Sequence, residues 1–164
     1  MRNHCGRSLR IAARAYKVWD QGFAIVTGKV PTEQLKFKLD DRCSNNQAEQ
    51  LAIVKALEVV ETQQVKLNKH GIAVIFTDSR ITLDAIRSAK NHNHLVEEIR
   101  KTAVTLYKKN WTMEFKWVKA HAGIYGNEIA YRLAKEATQN YYVNYSRTPK
   151  SAIKNDTRKE SIRK

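Results

Sequence analysis

Glu49 is the first residue of this sequence whose position calls for a chemical explanation. It precedes Ile53, Ala56 and Val60 by four, seven and eleven residues, a spacing that puts them on one face of a helix directed at the core. A carboxylate on such a face is costly unless it is paired, protonated or bound to a metal. Glu49 is thus a candidate catalytic or metal-ligating residue. The alternative is that the face is misassigned, because this helix is apolar nearly all round.

Asp78 and His121 are two further candidates, and both lie beside predicted strands. Asp78 stands at the carboxyl end of the β-branched apolar run 72–76, where ligands of open α/β sheets bind. Alternatively, Asp78 and Ser79 only cap the helix that comes next. His121 lies in the loop between the last strand and the last helix, where an imidazole can shuttle protons, although a lone loop histidine proves little.

Asn45, Asn46 and Gln47 open the helix that carries Glu49, and their amides are candidates for contacts with a nucleic acid. Amide groups can reach sugar hydroxyls or base edges that line a minor groove. Capping explains part of the pattern, because Ser44 and Gln47 have the spacing of a capping box.

The elements that position these residues follow from the hydrophobic periodicity. Alternating or continuous apolar runs predict strands, whereas capping signals and apolar stripes at helical spacing predict helices. The predicted strands cover residues 23–26, 35–39, 72–76 and 111–117. The predicted helices cover about 45–61, a short segment from about 80, a segment with an apolar stripe over 95–106, and about 127–138. This order indicates an α/β layer structure with a mixed sheet.

The charge of the chain favours a polyanionic partner. The formal net charge is +14, from 30 Lys+Arg against 16 Asp+Glu, and each phosphate that a cation neutralises releases condensed counterions. Nucleic acid is the first candidate, and a charged solubilising surface is the alternative. Cys5 and Cys43 are the only cysteines, so neither a disulfide framework nor a zinc cluster is indicated. No apolar run approaches the roughly 20 residues that cross a bilayer, so we expect no membrane partner.

Three blocks of the sequence resemble the ribonuclease H domain of LINE-type retrotransposon polyproteins, over about residues 22–140. The blocks are residues 43–51 (CSNNQAEQL), 77–80 (TDSR) and 117–128 (WVKAHAGIYGNE), in the order and approximate spacing of that family. Residues 149–154 (PKSAIK) also resemble the stretch that follows the nuclease domain in such polyproteins.

The resemblance implies a three-layer ribonuclease H-like fold, with a mixed five-stranded sheet flanked by helices and a first strand that is uncertain here. It implies hydrolysis of the RNA strand of an RNA–DNA hybrid with two Mg²⁺ (or Mn²⁺) ions, one activating water and the other stabilising the departing oxygen. Glu49 and Asp78 match two of the four carboxylates that hold these ions, and His121 matches a histidine that aids proton transfer or product release. The substrate-binding residues implied by the same resemblance are Asn45, Asn46, Gln47 and Ser79.

Two of the family's four carboxylates have no counterpart in this chain. No Asp or Glu precedes Asp20, which lies near the start of the second strand, so the aspartate of the first strand is missing. Residues 11–15 are the best substitute for that strand, with Arg14 near the missing acid. In the closing helix Tyr131 stands where the family has its fourth carboxylate. A phenol titrates near pH 10 and is a poor ligand for Mg²⁺, so Tyr131 does not replace it.

Three functions follow from these departures. The first is a degenerate ribonuclease H domain that still binds an RNA–DNA hybrid or double-stranded RNA, with hydrolysis lost or impaired. The second is a working nuclease in which Glu49 and Asp78 hold a metal with help from Asp20 or Glu128. The third is a non-enzymatic structural or protein-interaction domain in which Arg14 neutralises the two remaining carboxylates.

The organisation expected from the sequence is one domain with frayed ends. We expect a divergent N-terminal segment over 1–21, the ribonuclease H-like domain over 22–140 and a basic tail over 141–164. The cysteine content favours an intracellular protein, in the nucleus or the cytoplasm, and we expect a monomer. The opening stretch, which has no acid before Asp20, is also typical of mitochondrial transit peptides.

Overall fold

The strands and helices alternate along the chain as the hydrophobic pattern predicts. The computed structural model describes residues 8–17, 21–27, 33–62, 70–119, 125–139, 141–149 and 153–154. Its elements are β1 (Ser8–Lys17), β2 (Gln21–Thr27), β3 (Glu33–Leu39), α1 (Asn45–Thr62), β4 (Gly71–Thr77), α2 (Arg80–Arg87), α3 (His94–Lys108), β5 (Trp111–Trp117) and α4 (Tyr125–Ala137). Each element predicted from periodicity is therefore confirmed, with bounds that differ by a few residues.

The strands form one mixed sheet in the order β3-β2-β1-β4-β5. β1 lies in the centre, antiparallel to β2 and parallel to β4, and Ile11 is paired with Thr27 on one side and with Ile75 on the other. β1 includes the segment 11–15 that the sequence indicates as the substitute for the first strand. The α/β class and the mixed sheet are confirmed. The domain boundaries at residues 22 and 140 stay a prediction, and the sheet itself includes residues before 22.

Helices pack on the sheet in two separate groups. α1 and α3 share one apolar core with the sheet, to which Ile53, Leu57, Ile75 and Ile99 each contribute a fully buried side chain. α4 forms its own buried cluster and contacts β1, β2 and β3. Two separate clusters on one sheet correspond to the expected layers of helix, sheet and helix. Among the described helices none is long and apolar enough to cross a membrane.

The turn from α3 into β5 is tight, and it fixes the register of β5 against β4. Asn110 adopts a left-handed backbone conformation with φ 64°, which asparagine tolerates better than most residues. The amide of Gly71 donates to the carbonyl of Asn110 at 2.9 Å. A Cβ on Gly71 would lie 2.6 Å from Cε3 of the buried Trp111 ring, so a glycine is needed at this point.

Residues 141–149, called the C-terminal strap below, are held against the end of β3. The amide of Asp40 donates to the carbonyl of Tyr145 at 2.8 Å, and the amide of Asn144 donates to the carbonyl of Lys38 at 2.7 Å. Tyr145 packs against the main core and forms an isolated parallel bridge with Leu39. This part of the segment expected to be a basic tail therefore covers the edge of the sheet.

Candidate active site

Glu49 is buried on α1, as the helical stripe predicts, with 6% of its surface exposed. The helix begins with the predicted capping box: the Ser44 amide donates to Oε1 of Gln47 at 2.9 Å, and the Gln47 amide donates to Oγ of Ser44 at 3.2 Å. The capping box fixes where α1 begins and therefore the position of Glu49 along the helix. The hydroxyl of Thr77 then donates to Oε2 of Glu49 at 3.4 Å, which connects α1 to the last residue of β4.

Asp78 directly follows β4, and its backbone is fixed from the neighbouring strand. The amide of Val118 donates to the carbonyl of Thr77 at 2.9 Å, and the indole Nε1–H of Trp117 donates to the carbonyl of Asp78 at 3.0 Å. Asp78 is half-buried. The chain leaves the sheet here and turns into α2, so that the carboxyl ends of β4 and β5 meet at Asp78 and Trp117.

One groove brings most of the predicted site together. It has a volume of about 430 Å³ and runs between the start of α1 and the start of α2. Its lining consists of Asn45, Asn46, Glu49, Asp78, Ser79, Arg80, Ile81 and Trp117. Carboxylates, amides, a guanidinium and an aromatic ring thus face one open space at the carboxyl end of the central strands, where an α/β sheet binds its ligands.

Arg80 and Trp117 form a pair on this groove that the sequence reasoning missed. The guanidinium carbon of Arg80 lies 4.0 Å from the centre of the Trp117 ring, within the range of a cation–π interaction. Both side chains are exposed, Trp117 to 41%. Nothing in the local sequence signals the pair, because Arg80 lies on α2 and Trp117 at the end of β5.

The structure separates some of the predicted substrate contacts from the groove. Gln47 is buried, and its side chain accepts from the Ser44 amide and donates to the carbonyl of Arg147 at 2.9 Å, so its amide serves capping and the strap. Ser79 lines the groove but caps α2, because its Oγ accepts from the amide of Thr82 at 3.2 Å. His121 lies outside the described residues. Tyr131 is half-buried on α4.

The fit of a metal to this site can be tested on its acidic residues. Within the described part of the chain, no group of three or more His, Cys, Asp or Glu side chains is placed to hold an ion. The help from Glu128 that the active-nuclease alternative requires stays a prediction. Asp20 lies outside the described residues. Glu49 and Asp78 are the carboxylates that line the described groove, and oxygen ligands of this kind suit Mg²⁺, which completes its octahedral shell with other oxygens.

The strand order has a parallel β1–β4 pair at the centre, and a groove lined by Glu49 and Asp78 lies at its carboxyl end, as in α/β proteins that bind a ligand at this edge. Comparison with protein families identifies the protein further: the RNase H family model matches residues 14–139, and the chain belongs to the RNase H family. No curated protein matches the chain. Domains of this family bind nucleic-acid hybrids, hydrolyse the RNA strand, and generally use Mg²⁺ or Mn²⁺.

The match begins at Arg14, in β1. The register between β1 and β4 ends with Ala12 paired to Phe76, and Arg14 follows two residues later in β1. No residue of β1 is acidic.

Proposed function

We propose that this chain is a ribonuclease H domain of the LINE-type retrotransposon class that binds an RNA–DNA hybrid or double-stranded RNA and has lost, or nearly lost, hydrolysis of the RNA strand. The observation that carries the proposal is the acid content of the groove. Glu49 and Asp78 line it, while β1 has no acid and α4 has Tyr131 where the family has a carboxylate. We infer an intracellular protein, in the nucleus or cytoplasm, acting as a monomer.

Binding is supported by charge and by the groove. The formal net charge of +14 favours any phosphodiester, and the amides of Asn45 and Asn46 line the same groove as Arg80. Glu49 and Asp78 are the residues we assign to any remaining metal contact, and His121 to any remaining proton transfer. The weakness of that chemistry follows from the two missing acids, at the first strand and at Tyr131.

The test is a cleavage assay with an end-labelled RNA–DNA hybrid and Mg²⁺ or Mn²⁺. We expect no cleavage by the native chain. Tyr131→Asp returns an acid to one of the two positions that lack one, and Tyr131→Asp with Arg14→Asp returns acids to both. We expect the double variant to regain metal-dependent cleavage. Adding Asp78→Asn to the double variant is the matched control, and it must abolish that activity. Cleavage by the native chain that Asp78→Asn abolishes would instead mean that a reduced metal site suffices.

Binding is measured separately, because it is independent of cleavage. We expect the affinity for the hybrid to fall steeply with rising salt, as counterion release requires. Affinity that does not change between low and moderate salt would favour a structural or protein-interaction domain. In that case Arg14 is expected to neutralise the two carboxylates, and added Mg²⁺ should not raise the melting temperature.

A further inference from the structure

The Arg80 guanidinium is held in place by an aromatic ring that is itself fixed. The Nε1–H of Trp117 donates to the carbonyl of Asp78, so one edge of the indole is tied to the end of β4. Arg80 lies over the ring at 4.0 Å, in the first turn of α2. The capping Oγ of Ser79, which accepts from Thr82, fixes the start of that helix. Each step of this chain of contacts restricts where the guanidinium can be.

The donors of Arg80 are not used by the protein's own described residues. No ion pair or hydrogen bond joins Arg80 to a neighbour in that part of the chain, whereas Arg87 at the other end of α2 lies 3.8 Å from Asp84. A guanidinium carries five N–H donors in a planar fork that matches two oxygens of a phosphate. A guanidinium over an aromatic face can make this cation–π contact and still direct N–H donors to a phosphate.

The position of Arg80 beside Asp78 gives it an electrostatic role. Glu49 and Asp78 line the same groove, and negative charge at its surface disfavours a phosphodiester strand. A fixed guanidinium on the groove supplies a positive charge to the strand. We propose that Arg80, oriented by Trp117, contacts a backbone phosphate of the bound duplex and makes binding in this groove independent of divalent metal. This inference rests on the proposed function and goes further by naming the contact.

The experiment measures binding of a labelled RNA–DNA hybrid by fluorescence anisotropy in EDTA, over a series of salt concentrations. We expect Arg80→Ala to weaken binding about tenfold. We also expect the slope of log affinity against log salt to become shallower by about 1, the contribution of one phosphate contact. Arg87→Ala is the matched control, since it removes the same charge from the same helix outside the groove, and we expect less than about a twofold change.

The role of the ring is tested by its own pair of variants. Trp117→Phe keeps an aromatic face and should retain affinity within about threefold, whereas Trp117→Ala should weaken binding nearly as much as Arg80→Ala. Combining Trp117→Ala with Arg80→Ala should add little, because both changes remove one contact. Arg80→Lys keeps the charge but not the planar fork, so we expect an intermediate loss with an unchanged salt slope. Circular dichroism identifies any variant that fails to fold. If an alanine variant does not fold, the intermediate loss expected for Arg80→Lys and the retained affinity expected for Trp117→Phe test the contact instead.

The outcomes separate this contact from the proposed function. If the native chain binds with a steep salt dependence but Arg80→Ala behaves like Arg87→Ala, the phosphate contact is wrong and the nucleic-acid function stands. If the native chain binds only when Mg²⁺ replaces EDTA, metal-independent binding is wrong. If the native chain binds no hybrid at low salt under either condition, the proposed function fails, and the contact with it.

Discussion

The hydroxyl of Thr77 donates to the buried carboxylate of Glu49 at 3.4 Å, and the hydroxyl oxygen of Thr77 also accepts from the amide of Ser79 at 3.2 Å. One fully buried threonine therefore links the inner face of α1, the end of β4 and the start of α2.

Thr77→Val removes both contacts while it keeps the shape of the side chain. The Glu49 carboxylate then loses a donor inside the protein, and the Ser79 amide loses its acceptor, so we expect a loss of about 1–3 kcal/mol in the free energy of unfolding. Urea denaturation measures it through the midpoint at an unchanged slope. The exposed Thr105→Val on α3 is the control, with an expected change below about 0.5 kcal/mol. Equal midpoints for the two variants would show that the link does not contribute.

The C-terminal strap should contribute to stability although its composition is that of a tail. A chain that stops after Gln139 loses the bonds from Asp40 to Tyr145 and between Lys38 and Asn144, and it exposes part of the core. A chain that stops after Pro149 keeps them. At about 1 kcal/mol for each lost bond, the shorter chain should melt lower by at least about 4 °C. Equal melting temperatures for the two truncations would contradict a structural role for the strap.

His94, at the start of α3, contacts Tyr145 of the strap and should make the stability of the domain depend on pH. Burial lowers the pKa of His94 below its usual 6.5, the Arg147 cation lowers it further, and Glu98 opposes them. The unfolded chain therefore binds a proton at a higher pH than the folded one, so this contribution is fully present above pH 6.5 and is lost as the pH falls through the depressed folded pKa.

The matched variant for this effect is His94→Gln, which does not titrate and can still bond to the Tyr145 hydroxyl, 3.0 Å from Nε2 in the native chain. As the pH is lowered from about 7.5 to 5, the melting temperature should fall more for the native chain than for the variant. The pKa of Asp40 is also lowered, by its bonds to Arg42, but that contribution is lost only below the usual 3.8 and is common to both proteins. Parallel pH profiles would show that His94 does not matter.

Gly71→Ala should be costly because of one ring. The new Cβ would lie 2.6 Å from Cε3 of Trp111, which is 2% exposed and cannot move into solvent. Forcing extra volume into a packed core costs about 1–3 kcal/mol. Combining Gly71→Ala with Trp111→Phe, whose ring is smaller, should cost at least about 0.5 kcal/mol less than the sum of the single changes. Simple additivity in urea denaturation would show that the two residues do not clash.

The sequence predicts the elements with strong periodicity and the residues attached to them. The strand from Trp111 to Trp117, the strand before Asp78 and the capping box of Ser44 each carry a local signal, and each element is present. The burial predicted from the patterns holds only in part, because Trp117 and Ile72 are exposed. Glu49 could be placed inward because its stripe repeats over three turns of α1. These predictions depend on neighbours in sequence, which is why one sequence was enough for them.

Contacts between distant segments could not be predicted in this way. The strap is held mainly by backbone hydrogen bonds and by Tyr145, which leave no compositional pattern, so its polar and basic residues indicated a tail. Gln47 has the same amide whether it contacts a substrate or Arg147, and only the fold decides between them. Arg80 and Trp117 meet because β4 and β5 are neighbours with aligned ends. Each of these depends on the tertiary arrangement rather than on local propensity.

The central place of β1 has a consequence for how the domain folds. Ile11 pairs with Thr27 in the adjoining hairpin, but its other partner, Ile75, comes only after the whole of α1. Contacts between distant residues require a loop to close first and so form late. We expect the three antiparallel strands β1, β2 and β3 to associate early, and β4 to pair with β1 later. During that interval the future binding edge is incomplete, so the groove is assembled in the last stage of folding.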